Sequence, residues 1–397
     1  MQQYMAQRVR GFGTSIFTEM SALAVHHQAI NLSQGFPDFA GPAHVKQAAI
    51  AAINADHNQY APSPGMPALR TAIAETYASA YGLVVEPANV TITCGATEAL
   101  FSTIMALVNP GEEVIIFEPA YDAYAPNTIM AGGVPRFVQL APPTPSATDW
   151  TFDPAVLRAA FNANTRAILV NTPHNPTGKV FSRFELELIA ELCIEHDVIA
   201  ISDEVYDRMI YDGVHVPIAT LPGMAERSVT INSTGKTFSL TGWKIGYAIA
   251  AAPLTEAIRR VHQFTTFAIA TPFQSAMEAA LADALNSTYY QDLLDFYRVR
   301  RDFLIDILRT AGLTVAPPAG TYFAMADIRA CGFATDVEFC RYLTTEIGVA
   351  AIPPSAFYVD PSTAPLMARF CFAKELATLQ AAAERLRVFA ARAKPTH

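Results

Sequence analysis

The chain has 397 residues, 51% of them hydrophobic and only 16% charged, with a formal net charge of −9. That length predicts two domains, or one large domain carrying a smaller one, with apolar residues enough for a large core. The acidic balance, without a basic run, argues against nucleic acid as the main partner, and so few charges predict a surface partly covered by another subunit.

The chain begins "MQQYMAQRVRGFGTS", which lacks the apolar core of a signal peptide, and no apolar run is long enough to span a bilayer. A cytoplasmic protein with no membrane contact is expected. Short apolar, β-branched runs then recur at 89–95, 113–119, 136–142, 166–173, 198–204, 228–233 and 246–253. Between them lie helical patterns, such as 97–108, where Leu100, Ile104, Leu107 and Val108 share a face, and 184–196. Strand–helix alternation with nearly all-apolar strands predicts an α/β fold: a large, mainly parallel sheet covered on both faces.

The Pro-rich stretch 140–150, "LAPPTPSATDW", reads as a surface loop. After about residue 290 a long charged helix pattern leads into strands between helices, the texture of a smaller α+β domain. The expected division is a large domain at 45–290 and a small one built from 1–44 and 291–397. Five scattered cysteines form no CxxC and no zinc spacing with histidine, so neither a disulfide framework nor a metal site is expected.

In open α/β sheets the ligand sits at the carboxyl ends of the strands, and polar residues collect there. "TCGATEAL" runs from a strand into Gly95-Ala96-Thr97 and a helix; it is either an anion cradle or an ordinary N-cap at Thr97. "ISDEVYD" puts Asp203 at a strand end, as an N-cap or as a buried carboxylate wanting a cation, with Tyr206 three residues on. In "NTPHNPTGK", Pro176 holds Asn175 extended, in a plain turn or aiming its amide into a cleft. Tyr121 in "EPAYDAY" offers a flat face for stacking or for packing. Arg369 in "ARFCFAK" lies in an apolar strand and wants a carboxylate, from a ligand or from an internal acid.

The segment "INSTGKTFSLTGWKIGY" adds Ser233 and two lysines, Lys236 and Lys244. A phosphate cradle, a carboxylate, a phenol, an amide, a flat aromatic, an arginine and a placed lysine together match pyridoxal 5′-phosphate: its phosphate, ring nitrogen, phenolic oxygen, flat ring and aldehyde. In that reading Lys236 awaits the aldehyde and Lys244 the phosphate.

Eight motifs in one order make the chain resemble a fold-type I, aspartate aminotransferase-like enzyme of the class I/II aminotransferase family. They are "INLSQGFPDF", "NQYAPSPGMPALR", "CGATEAL", "EPAYDAY", "NTPHNPTGK", "SDEVYD", "STGKTFSLTGWKIGY" and "RFCFAK". Within the family, "SIFTEMSALA", "NLSQGFPDF", "HQFTTF" and "GVAAIP" are most similar to methionine aminotransferases and the kynurenine/glutamine transaminase group. The resemblance implies a seven-stranded large domain and a pyridoxal phosphate-dependent ping-pong transamination. Lys236 would hold the cofactor as a Schiff base and carry protons. Asp203 would pair with the ring nitrogen, and Tyr206 with Asn175 would hold the phenolic oxygen. Gly95, Ala96, Thr97, Ser233 and Lys244 would bind phosphate, with Tyr60 reaching in from the second subunit of a homodimer; Tyr121 would stack on the ring.

Arg369, Asn175 and the backbone of Gly35 would take the substrate carboxylate. Phe17 and Phe267 match aromatic substrate-pocket positions, whereas Tyr322 and Phe357 are pocket or plain packing. Lys244 stands where many relatives have arginine, giving charge without the fork. Methionine is the expected donor, then aromatic amino acids, histidine or glutamine, with a 2-oxo acid as acceptor. A carbon–sulfur β-lyase is the alternative on the same scaffold, and a cofactor-binding regulatory domain a remote one.

Overall fold

A computed structural model describes residues 4–13, 16–144 and 148–392. Its centre is a seven-stranded sheet: β1 (Val90–Cys94), β2 (Glu113–Glu118), β3 (Val134–Gln139), β4 (Thr165–Asn171), β5 (Ile199–Asp203), β6 (Ser228–Ser233) and β7 (Ile245–Ala250). The spatial order is β1-β7-β6-β5-β4-β2-β3. Every neighbouring pair is parallel except those made by β7, which runs antiparallel to both β1 and β6. The seven apolar runs therefore become the seven strands. Interior strands such as β2, β5 and β7 are buried along their whole length, as helices on both faces require, whereas edge strand β3 alternates with exposed positions.

The reversed strand shapes the rim. Because β7 is antiparallel, its first residues, not its last, lie at the carboxyl ends of the other strands. Register pairs Cys94 with Ile245 and Ser233 with Gly246, while Asn171 lies opposite Asp203. Lys244, just before β7, thus arrives beside the end of β1 and the end of β6. The helix Gly95–Leu107 leaves β1 directly, without a side-chain cap, so Thr97 is not its N-cap. The helix expected at 184–196 spans Arg183–Glu195 and starts at a capping box of Ser182 and Glu185.

Beyond the sheet, the charged pattern after residue 288 forms the helix Tyr289–Thr310, followed by a three-stranded antiparallel sheet of Met367–Cys371, Phe323–Asp327 and Thr314–Val315. Ile30–Asn31 pairs in parallel with Val349–Ala350, tying the N-terminal segment to this part of the chain. One apolar cluster joins Met20 and Leu32 to Leu304, Phe339, Phe370 and Leu386. The Pro-rich stretch is anchored at its ends by buried Leu140 and Trp150 and a bridge from Ala141 to Thr151; residues 145–147 lie outside the described part. Among the described residues no helix is long and apolar enough to cross a membrane.

Candidate active site

At the carboxyl rim of the sheet lies a cavity of about 350 Å³, within the range that buries a cofactor-sized ligand. Gly95, Ala96, Thr97, Tyr121, Asn175, Asp203, Tyr206, Ser233, Lys236, Lys244, Gly35, Phe17 and Arg369 all line it. The strand ends bring them there from stretches hundreds of residues apart.

Lys236 sits on the four-residue helix Thr234–Thr237, whose N-cap Ser233 accepts the Gly235 N–H. Its Nζ lies between the rings of Tyr206 and Tyr322, 5.8 and 5.7 Å from their centroids, and donates only a long 3.5 Å bond to Gly35 O. Burial is the main reason its ammonium is lowered to about 8. A lysine so placed carries about a tenth of its population as free amine at pH 7, far more than an ordinary lysine does.

Asp203 ends β5 with its carboxylate buried. Oδ2 accepts the Tyr124 hydroxyl at 2.7 Å and Oδ1 the Val205 N–H at 3.3 Å, yet burial outweighs both and raises its pKa to about 6. The residue is therefore both a local turn former and a buried anion open to a cation. Tyr124 is absent from the sequence expectations; its signal is its place three residues after Tyr121, one turn along "EPAYDAY". Tyr124→Phe would leave a buried carboxylate oxygen unpaired. The variant should lose about 1–3 kcal/mol of unfolding free energy, and distinctly less in an Asp203→Ala background. Denaturant titration of the four proteins checks this.

Asn171, at the end of β4, positions the next side chain. Its Nδ2 donates to Asp203 O at 2.9 Å and its Oδ1 accepts the Asn175 N–H at 2.7 Å, so Asn175 is pinned to the strand end; the Asn175–Pro176 peptide is cis. Asn175 Oδ1 accepts from Arg369 Nη1 at 2.9 Å, which leaves its amide N–H groups for another partner.

Arg369 is 1% exposed and has no ion pair among the described residues. Nη2 donates to Ser33 O at 3.0 Å, and the guanidinium lies 4.1, 5.0 and 5.2 Å from the rings of Phe323, Phe357 and Phe17. Burial lowers it to about 10, and its Nε has no partner. No internal acid pairs with it among the described residues; Arg369 lines the cavity with its Nε unpartnered, and a ligand carboxylate would match that chemistry.

The opposite end is built for an anion. Gly95 (φ +68°) opens a 13-residue helix, and a Cβ there would lie 3.1 Å from Lys244 Nζ. A Cβ on Gly246 would lie 2.3 Å from the Gly95 carbonyl carbon, so two glycines let β7 close against the helix start. Lys244 adds charge, its Nζ 3.4 Å from Thr97 Oγ1. Tyr121 lies between the two ends, its phenol pushed up to about 12 by burial.

Tyr60, expected to reach in from a second subunit, and Phe267, matched to an aromatic pocket position, do not line this chain's own cavity. Tyr60 and Phe267 are 84% and 47% exposed and pack on each other, centroids 5.5 Å apart. Phe267 (φ +70°) follows the helix Ala252–Thr265, where its N–H is tied back to His262 O, so its ring turns outward instead of forming this chain's pocket wall. Tyr322 and Phe357 pack behind the site: the Tyr322 hydroxyl donates to Gly35 O at 2.5 Å, and Phe357 meets Phe17 at 5.6 Å. The lining also includes Gln34, Phe36, Asp122 and Phe323, which the sequence motifs did not single out.

The donor set fits pyridoxal phosphate: a glycine-lined helix start and a lysine at one end, a buried carboxylate and phenol in the middle, and an amine among aromatic rings. Comparison with known proteins agrees. The family "Aminotransferase class I and II" matches residues 27–386. Methionine aminotransferase of Escherichia coli is 45% identical over 94% of this chain and 96% of its own length. Kynurenine–oxoglutarate transaminase 3 of Mus musculus is 41% identical over 97% and 90%. The solved structure of N-succinyldiaminopimelate aminotransferase from Mycobacterium tuberculosis superposes with a TM-score of 0.93 at 41% identity, covering 97% of this chain and all of that one. With its aspartate aminotransferase-like architecture, this chain belongs to the class I and II aminotransferases and is a pyridoxal phosphate-dependent transaminase.

Proposed function

We propose that the enzyme moves the amino group of a neutral L-amino acid, methionine first and then aromatic amino acids, histidine or glutamine, to a 2-oxo acid. The carrying observation is the charge inventory of the cavity. Its lysines and arginines are Lys236, Lys244 and Arg369, and each has a task. The rings of Phe17 and Phe323 lie beside Arg369, Phe36 also lines the cavity, and the carboxylate acting on Arg369 is Asp122. A second substrate carboxylate would meet rings and an anion there, an unfavourable place for an unpaired charge. A thioether or aromatic side chain fits those rings.

In this reading pyridoxal phosphate, when bound, supplies the aldehyde that takes the amino group and a ring that accepts electrons from the substrate Cα. The chain's own residues do the rest. Arg369, Asn175 and the Gly35 backbone hold the α-carboxylate, orienting Cα toward Lys236, whose amine removes and returns the proton. Asp203 keeps the ring nitrogen protonated, Tyr206 and the Asn175 amide hold the phenolic oxygen, and Tyr121 stacks on the ring. Gly95, Ala96, Thr97, Ser233 and Lys244 hold the phosphate. Tyr60 and Phe267 belong to the site of a second copy in a cytoplasmic homodimer, a reading supported by their exposure and by that of Phe264, which is 86% exposed. Residues 45–290 then form the large domain and 1–44 with 291–397 the small one, supported by the apolar cluster shared by the two chain ends.

The test is a panel of amino donors with one 2-oxo acid acceptor. Methionine should exceed aspartate and glutamate in kcat/KM by on the order of 10²-fold, and Asp122→Asn should narrow that ratio severalfold. Aspartate or glutamate as the best donor would overturn the reading. Pyruvate and ammonia released from a cysteine conjugate, without amino transfer, would replace it with a carbon–sulfur lyase.

A further inference from the structure

Glu98 follows Thr97 in the first turn of the helix whose start lines the cavity. A carboxylate there favours the helix dipole, but it also stands beside the place where a phosphate anion would bind, and like charges at such range repel. The structure supplies a counter-charge. Glu98 Oε1 lies 2.6 Å from His262 Nδ1, while Oε2 accepts the Cys94 N–H. His262 is 0% exposed, and its Nε2 lies 2.8 Å from Ser63 O.

The proton count follows from the partners. A backbone carbonyl only accepts, so Nε2 carries a hydrogen. The contact between Nδ1 and a carboxylate oxygen needs a hydrogen as well. The pair therefore holds one shared proton and is neutral as a whole, whichever atom carries it. Arg259, the other charged group acting on His262, is occupied by Thr91 Oγ1, Ala88 O and Val90 O. It does not compete for Glu98.

Resting on the reading that Gly95 to Thr97 hold the cofactor phosphate, we propose that His262 is a positioning residue which neutralises Glu98 beneath that phosphate. Glu98 can then brace the helix start through the Cys94 N–H without setting a net negative charge against the ligand. His262 itself touches neither cofactor nor substrate.

The test compares dissociation of pyridoxal phosphate and of pyridoxal, which lacks the phosphate, each loaded separately on the parent enzyme, H262Q, E98Q and the double variant. The glutamine of H262Q keeps a hydrogen-bond donor but no charge. H262Q should weaken pyridoxal phosphate by about tenfold or more and change pyridoxal by less than about twofold. E98Q should hold both ligands within about twofold of the parent, because the introduced amide can donate to neutral Nδ1 and still accept from the Cys94 N–H. The double variant should return to within about threefold of the parent. A purely structural role would weaken both ligands equally in H262Q and leave the double variant weaker still; either result overturns the proposal. Should H262Q not fold, E98Q decides: a tenfold loss of pyridoxal phosphate contradicts the proposal, and retention supports it. A parent enzyme that binds pyridoxal as tightly as pyridoxal phosphate would instead refute the phosphate-site reading.

Discussion

Lys236→Ala is expected to fold normally and to lose at least about 10²–10⁴-fold in transamination, the range that proton transfer by a placed side chain contributes. The true loss should be larger, because the same amine is the proposed point of covalent attachment. Folding should survive because the Nζ makes only the long bond to Gly35 O and no ion pair among the described residues. With both proteins free of cofactor, stability of the variant should exceed that of the parent near neutral pH. Burial holds the ammonium at about 8, against an ordinary 10.5, so the folded parent binds its proton less tightly than the unfolded chain. The parent regains stability as pH climbs through that window, and the advantage of the variant should shrink from about pH 8 upward. Urea titrations across that range check the sign, and single-turnover assays check the activity. A variant with parental turnover would remove Lys236 from the chemistry.

Asp203→Asn should cost about 10²–10³-fold in kcat, the size of losing one placed electrostatic group in a water-excluded site. Asparagine keeps the shape and can still accept the Tyr124 hydroxyl, so the fold should hold. What disappears is the negative charge. Alone in its buried setting the carboxylate is raised to about 6, so a cationic ring nitrogen opposite it would draw it back to the ionised form. The amide cannot make that exchange. KM for the donor should change much less than kcat, because the donor carboxylate is assigned to Arg369 and not to Asp203. Turnover within about tenfold of the parent would show that Asp203 is only a turn former.

The strands were legible because each is a short apolar run between turn signals, and burial on both faces removes the alternation that would have blurred them. Direction was not legible. The run 246–253 looks like its parallel neighbours, since an apolar strand carries no arrow, and only the structure shows that β7 is reversed and that Lys244 reaches the rim for that reason. Edge strand β3 begins two residues earlier than its apolar run, because Val134 and Pro135 pair with β2 while half exposed.

Asp203, Asn175 and Lys236, each inside an ordered motif, come together at the lining of one cavity. For Arg369 only the fold shows that no acid forms an ion pair with it among the described residues. The links that escaped were those between distant motifs. Tyr124 meets Asp203 across 79 positions and Glu98 meets His262 across 164, and no local pattern records such a pairing. Phe267 is a different case: its motif matches an aromatic pocket position, and in this chain it packs on Tyr60 outside the chain's own cavity.

The central proposal is that one amine, on the short helix after β6, holds the cofactor. Borohydride reduction of the holoenzyme, then proteolysis and mass spectrometry, reads the attachment point directly. The cofactor mass is expected on the peptide carrying Lys236, with none retained by Lys236→Ala. The same mass on Lys244 or any other lysine would contradict it.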